Sequence, residues 1–368
     1  MYSYVRLYLI LIALAISPLA YMAGKPMDMF DTMVFQIFAI AIGLLGIKQN
    51  FHSKSFLLAT GFLASALAST AFKEFNQIAM FSFVNMFLAT NLIMAVSSDE
   101  EAVEWIDKNI GWIFILPIAL NLIVLIWHWM GFNPIIENKT GEPGGLLGNS
   151  PRLCMYLAIV LPFVFDKSKL LALIIGFIGV VLKEVYLPFF CMFLFIAKDT
   201  FGGKDEDISY YNSFIKFLCL LGFVLAPFTF YRQKIIESLT IRMDVWLPTL
   251  EQSFKSLWFG YGPGVFQHVS PQFVKKIIGV GQGFIYADNS FSSIIQIFFS
   301  QGMVGLICFG FIVRFFLKHW EADKYDMSLL FLLIMALFEY PFEVPKLWLT
   351  ICIIVGVKIV KIRTWQNS

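Results

Sequence analysis

Apolar runs long enough to approach the roughly 20 residues that cross bilayer hydrocarbon recur along almost the whole chain. They fall near 5–22, 33–47, 55–72, 76–96, 110–130, 151–165, 169–182, 185–198, 213–230, 291–313, 327–340 and 347–360. This pattern predicts an all-α, polytopic membrane protein of about twelve transmembrane helices forming a single integral domain over residues 1–368. Of the residues, 59% are hydrophobic and 14% charged, more apolar surface than a water-soluble domain of this length can bury. The first run follows Arg6 closely, as a signal peptide would. It reads as an uncleaved span, because no small-x-small cleavage site precedes the next run.

The short loops predict the orientation. Lys48, Lys54, Lys167, Lys169, Lys198, Lys204, Arg314, Lys318, Lys324, Lys358, Lys361 and Arg363 all fall on one side, which is therefore cytoplasmic, with both termini. The acidic segment "SSDEEAVEWIDKN" reads as an inner loop on that same side. The opposite side carries one long loop, residues 231–287, between the ninth and tenth spans. A net charge of +2 gives no reason to expect nucleic acid as a partner. The five cysteines lie in apolar runs without CxxC spacing, and the four histidines are far apart. Neither set supports a disulfide framework or a protein-built metal centre, and no cofactor is expected.

Four stretches carry polar residues where a lipid-facing reading does not explain them. In "GEPGGLLGNSPRLCMYL", Pro151 suits a first helical turn and Asn149 or Ser150 can cap it. Arg152 opposes the helix macrodipole there, and so faces either lipid headgroups or a bound anion. Lys183 and Glu184 separate two short apolar runs, either paired with each other in a turn or set below the outer surface as a functional pair. Short helices at membrane depth pack inside protein or line a cavity.

The long loop opens with Arg232 and Lys234, for which contact with lipid phosphates is as good an account as any. Ile235, Leu239, Arg242 and Trp246 then share a helical face, predicting an amphipathic helix along the membrane surface that Pro248 ends or kinks. Trp246 would brace the Arg242 guanidinium. "FGYGPGVF" reads as a tight turn. In "YADNSFSSIIQIFFSQGMVG", Asp288 reads as a helix cap, a duty Asn289 or Ser290 can share. Gly302 and Gly305 are expected to let a neighbouring helix approach at the inner end.

In this order the motifs resemble the O-antigen polymerase and ligase superfamily: Gly and Asn-Pro before a helix (here "GLLGNSPRLCMYL"), Arg-x-x-x-Trp (Arg242 to Trp246), a Gly-x-Gly turn (Gly260 to Gly264), and a polar pair opening a helix that closes on Gly-x-x-Gly. The match runs from about Gly144 to Gly310, and the first five helices agree with the family only in number. The resemblance implies a GT-C type glycosyltransferase of the bacterial inner membrane, acting at the periplasmic face on glycans carried by undecaprenyl pyrophosphate, with a chain-length regulator as a further partner. On that resemblance Arg152 and Arg242, with Lys183 and Arg232, would bind pyrophosphate without a metal. Asp288 would accept the hydroxyl proton, with Trp246, Asn289 and Asn149 beside the substrate. Ligase-type members begin the last motif with histidine where this chain has Asp288, which leans the resemblance towards polymerisation. O-antigen ligase or protein O-oligosaccharyltransferase remains the alternative acceptor chemistry. A lipid-linked glycan transporter ranks below both, because the first half has almost no charge within its spans and no visible repeat.

Overall fold

A computed structural model describes residues 2–16, 27–46, 53–71, 77–131, 150–172, 174–175, 232–274, 277–279, 283–285 and 289–367. The expected spans 185–198 and 213–230, most of 169–182, and the residues Asn149, Lys183 and Asp288 lie outside them, as does the side chain of Arg232.

The described chain is a helical bundle. Its long helices are α1 (Tyr2–Ile16), α2 (Met27–Gly46), α3 (Ser53–Ala71), α4 (Gln77–Ser97), α5 (Glu100–Trp129), α6 (Ser150–Phe165), α7 (Arg232–Lys255), α8 (Ser293–Lys318), α9 (Lys324–Phe338) and α10 (Pro345–Asn367). Between α7 and α8 lies a short antiparallel hairpin, Ile277–Gly279 against Gly283–Ile285. Three helices, α4, the Glu100–Trp127 part of α5, and α8, are long and apolar enough to cross a membrane, and α1, α2, α3 and α6 contribute shorter apolar stretches. Large apolar side chains such as Tyr8, Ile37, Leu57, Trp112, Leu116 and Phe311 project outward, the arrangement a lipid solvent permits.

At the centre stands α6. Every residue from Leu153 to Val164 is buried, so this helix is apolar all round because it touches protein on all sides. It packs on α5 and α9. The Ser328 hydroxyl of α9 donates to the Ile159 carbonyl at 2.8 Å, while Phe163 meets Tyr325 edge-on at 5.0 Å. Around this centre α4 packs against α2 and α10, and α3 packs against α8.

Charged residues sort to the two ends of the bundle. At one end the buried Arg6 pairs with Asp99 at 3.3 Å, Lys324 and Lys361 both reach Asp107 at 2.9 and 3.1 Å, and the fully buried Lys358 meets Asp326 at 2.9 Å. Asp326 also closes a capping box with Asp323 at the start of α9, so one carboxylate serves a helix terminus and a buried cation together. At the other end lie Arg242 against Glu339 and Lys346 facing Asp31 at 3.8 Å.

Two local expectations are corrected. The acidic segment expected as an inner loop forms the first turns of α5, with the Asp99 carboxylate accepting the Ala102 N–H at 3.0 Å. Glu100 and Glu101 occupy that first turn, where carboxylates favour the helix dipole. Pro248 does not end α7, which continues through it to Lys255; the flanking Val245, Thr249 and Ser253 are packed into the bundle, and that packing offsets the missing backbone donor. Ile236, Leu239, Met243, Leu247 and Phe254 face outward along α7.

Candidate functional site

The site is organised by an interruption in α8. Gly302 has φ 66° and ψ −161° in the middle of that helix, a conformation open almost only to glycine. Such a break removes the bonds from the Met303 and Val304 N–H groups to the Phe299 and Ser300 carbonyls, and four backbone groups then need partners in an apolar setting. The turn after α7 supplies all four. Tyr261 and Gly262 donate to the Phe299 and Ser300 carbonyls at 2.9 and 2.8 Å, and Met303 and Val304 donate to the Leu257 and Trp258 carbonyls at 2.7 and 3.3 Å.

This pairing requires bare backbone on both sides. A Cβ on Gly302 would stand 2.4 Å from the Trp258 carbonyl carbon, and one on Gly260 (φ 65°) would stand 2.5 Å from the Ser300 carbonyl carbon. Tyr261 stacks on Phe299 with ring centres 4.9 Å apart, and Val245, Phe266 and Val274 complete a small apolar cluster around them. The expectation for Gly302 and Gly305 is therefore corrected. What approaches Gly302 is the returning loop rather than a neighbouring helix, and a Cβ on Gly305 would meet the side chain of Gln301 from its own helix.

The entry to α8 is built from its polar residues. Ser292 is the N-cap, its hydroxyl accepting the Ile295 N–H at 3.4 Å and donating to the Ala336 carbonyl at 3.2 Å. Asn289 turns the chain before it, with Oδ1 accepting the Phe291 N–H at 2.9 Å. Capping thus falls to Ser292 and not to Asn289 or Ser290, so the helix start has its cap without Asp288. Ser290, Ser292 and Ser293 are all buried, on the protein side as their hydroxyls demand.

Below this entry α3, α4, α8, α9 and α10 enclose a cavity of about 800 Å³. Arg152, from the first turn of α6, lines it together with Pro263 and Gly264 of the turn, Asn289, and Gln296 and Ser300 of α8. Farther along α8 the lining becomes apolar at Phe309, Ile312, Val313 and Phe316, facing Leu329 and Leu333 of α9. At 1.5 Å rise per residue the stretch from Gln296 to Phe316 covers about 30 Å, a full hydrocarbon thickness. One end of the cavity carries Arg152, and the flank along α8 and α9 is apolar as far as Asp326 at the start of α9. Among the described lining residues the charged ones are Arg152 and Asp326.

Sequence reasoning located Arg152 and Asn289, and the structure brings both to this cavity. It missed Gln296 and Asn85, which also line it. Gln296 sits one helical turn before Ser300, and its signal was an amide in an otherwise lipid-like run.

Arg242 and Trp246 stand outside the cavity lining. The Arg242 Nη2 binds the Glu339 carboxylate and its Nε donates to the Phe338 carbonyl at 3.1 Å, while Trp246 packs near Phe338 with ring centres 6.5 Å apart. Glu339 in turn offers its carbonyl to the Ser293 N–H at 3.0 Å, so the pair ties α7 to the corner where α9 ends and α8 begins. Arg242→Ala is expected to destabilise the protein by about 2 kcal/mol at neutral pH, between the exposed and fully buried cases. Its melting temperature should approach the wild-type value on acidification, when a protonated Glu339 no longer needs a cation. A deficit that stayed constant with pH would show that the two residues are not an energetic unit.

No family model matches the chain, and no curated protein matches it.

Proposed function

We propose that this chain is a membrane glycosyltransferase of the O-antigen polymerase and ligase type, transferring a glycan from undecaprenyl pyrophosphate to a lipid-linked repeat unit. The observation that carries the reading is convergence. Three motif stretches spread between residues 152 and 289 contribute Arg152, Gly264 and Asn289 to one cavity, which carries a cation near its mouth and a long apolar flank along α8 and α9. A long isoprenoid chain suits the apolar length and a pyrophosphate suits the arginine. The finer architecture belongs to the same proposal: about twelve spans of GT-C type in the bacterial inner membrane, both termini cytoplasmic, and the polar mouth periplasmic.

In this mechanism the terminal hydroxyl oxygen of the acceptor attacks the anomeric carbon of the donor glycan. The bond from that carbon to the pyrophosphate oxygen breaks, and its electron pair leaves with the pyrophosphate. Arg152 stabilises the departing charge, and the Asp288 carboxylate takes the hydroxyl proton. Arg242 holds the corner of α8 and α9 through Glu339, and Arg232 and Lys183 are further cations for the same lipid phosphates.

The test is reconstitution in nanodiscs with polyprenyl diphosphate-linked repeat units. Longer lipid-linked chains should appear together with free polyprenyl diphosphate, and Asp288→Asn should abolish both. Transfer only to a lipid A core or a protein serine would move the chain to the ligase or O-oligosaccharyltransferase reading. Release of no polyprenyl diphosphate with any acceptor would refute a transferase.

A further inference from the structure

Gln296 is held in one orientation. Its side-chain oxygen accepts the Ser290 backbone N–H at 3.2 Å, and because a backbone N–H can only donate, the atom facing it is oxygen and the –NH2 points the other way. Asn289 is fixed by the same logic through the Phe291 N–H. On α4, Asn85 takes the Gln36 Nε2 on its oxygen at 2.8 Å. Gln296 and Asn85 are only 8% and 5% exposed, yet both line the cavity, and among the described residues neither –NH2 has a protein partner.

Neither amide nitrogen is among the described side-chain atoms sealed in protein without a partner. The two amides, on different helices, line a space whose described charged residues are Arg152 and an Asp326 already held by Lys358 at 2.9 Å. Neutral donors suit the hydroxyl and acetamido oxygens of an uncharged sugar.

We infer that Gln296 and Asn85 form a neutral donor pair that reads the oxygens of an uncharged sugar attached to the lipid diphosphate, making them specificity-determining residues. The inference rests on the transferase reading above and adds the sugar class to it.

Three probes test it, each with binding measured on the full chain in nanodiscs: bare polyprenyl diphosphate, the same lipid carrying one 2-acetamido-hexose, and the same lipid carrying one hexuronic acid. Wild-type protein should bind the acetamido probe more tightly than the bare lipid and the uronic acid probe no more tightly than it. Gln296→Ala and Asn85→Ala should each weaken the acetamido probe about three- to tenfold, the worth of one neutral hydrogen bond, and leave the bare lipid unchanged. Asn85→Ala keeps the Ser290 contact intact, so it reads the role even if Gln296→Ala fails to fold. Equal losses on bare and sugar-bearing lipid, or no gain from the sugar in wild type, would overturn the sugar assignment while leaving the transferase reading in place. Failure of wild type to bind bare polyprenyl diphosphate would remove that reading and this inference with it.

Discussion

Gly302→Ala is expected to abolish stable folding. The alanine must either hold a backbone conformation that costs a side chain about 1–3 kcal/mol, or let α8 become continuous. In the second case the Gly260 turn loses its four backbone partners, at about 0.5–1.5 kcal/mol each. A Cβ 2.4 Å from the Trp258 carbonyl carbon adds a clash that only backbone movement can relieve. Either route costs roughly 2–6 kcal/mol, a large share of a typical protein's whole stability. Gly260→Ala should behave similarly, because its Cβ meets the same junction from the other side. Gly310→Ala is the control. It lies in the same helix with nothing within 4 Å of its added Cβ, so it should be neutral or slightly stabilising through helix propensity. Melting in detergent, with size-exclusion profile as the check on dispersity, distinguishes these cases. A Gly302→Ala protein that melted with the wild type would show that the turn and α8 are not interlocked.

Arg152→Ala carries the largest expected effect on turnover under the proposed function. With the guanidinium gone, the described lining near the polar mouth has no cation to meet the departing pyrophosphate, and a fall of at least 100-fold is expected, the usual cost of deleting a charge-stabilising donor. Arg152→Lys should recover only part of it, since an ammonium cannot bind two phosphate oxygens in a plane. Neither variant should lower the melting temperature much, because a cation in the first turn of α6 opposes the helix dipole rather than capping it. Measured turnover within twofold of wild type for Arg152→Ala would remove Arg152 from the mechanism. A matching fall in melting temperature would assign it a structural role instead.

Hydropathy and local helix chemistry made much of this molecule readable in one dimension. The apolar runs located the described helices, the shortness of the run at 151–165 allowed packing inside protein or a place along a cavity, and the mismatch between Arg152 and its helix dipole left lipid headgroups and a bound anion both open. Errors arose where one signal masked another. A charge count made a loop of "SSDEEAVEWIDKN", although an acidic first turn behind a capping Asp99 is itself a helix start. Of the two outcomes Pro248 allowed, an end or a kink, the packed face of α7 removed the first.

The sequence by itself determined that the chain forms apolar helices and that its long loop opens with a helix, because burial and helix-end electrostatics act over a few residues. Tertiary structure alone decided that Arg242 meets Glu339, that the turn at Gly260 fills the break at Gly302, and that Arg152, Gln296 and Asn85 line one cavity. Those pairings depend on which backbone groups are left unsatisfied after helices cross, and no local pattern of side chains records that.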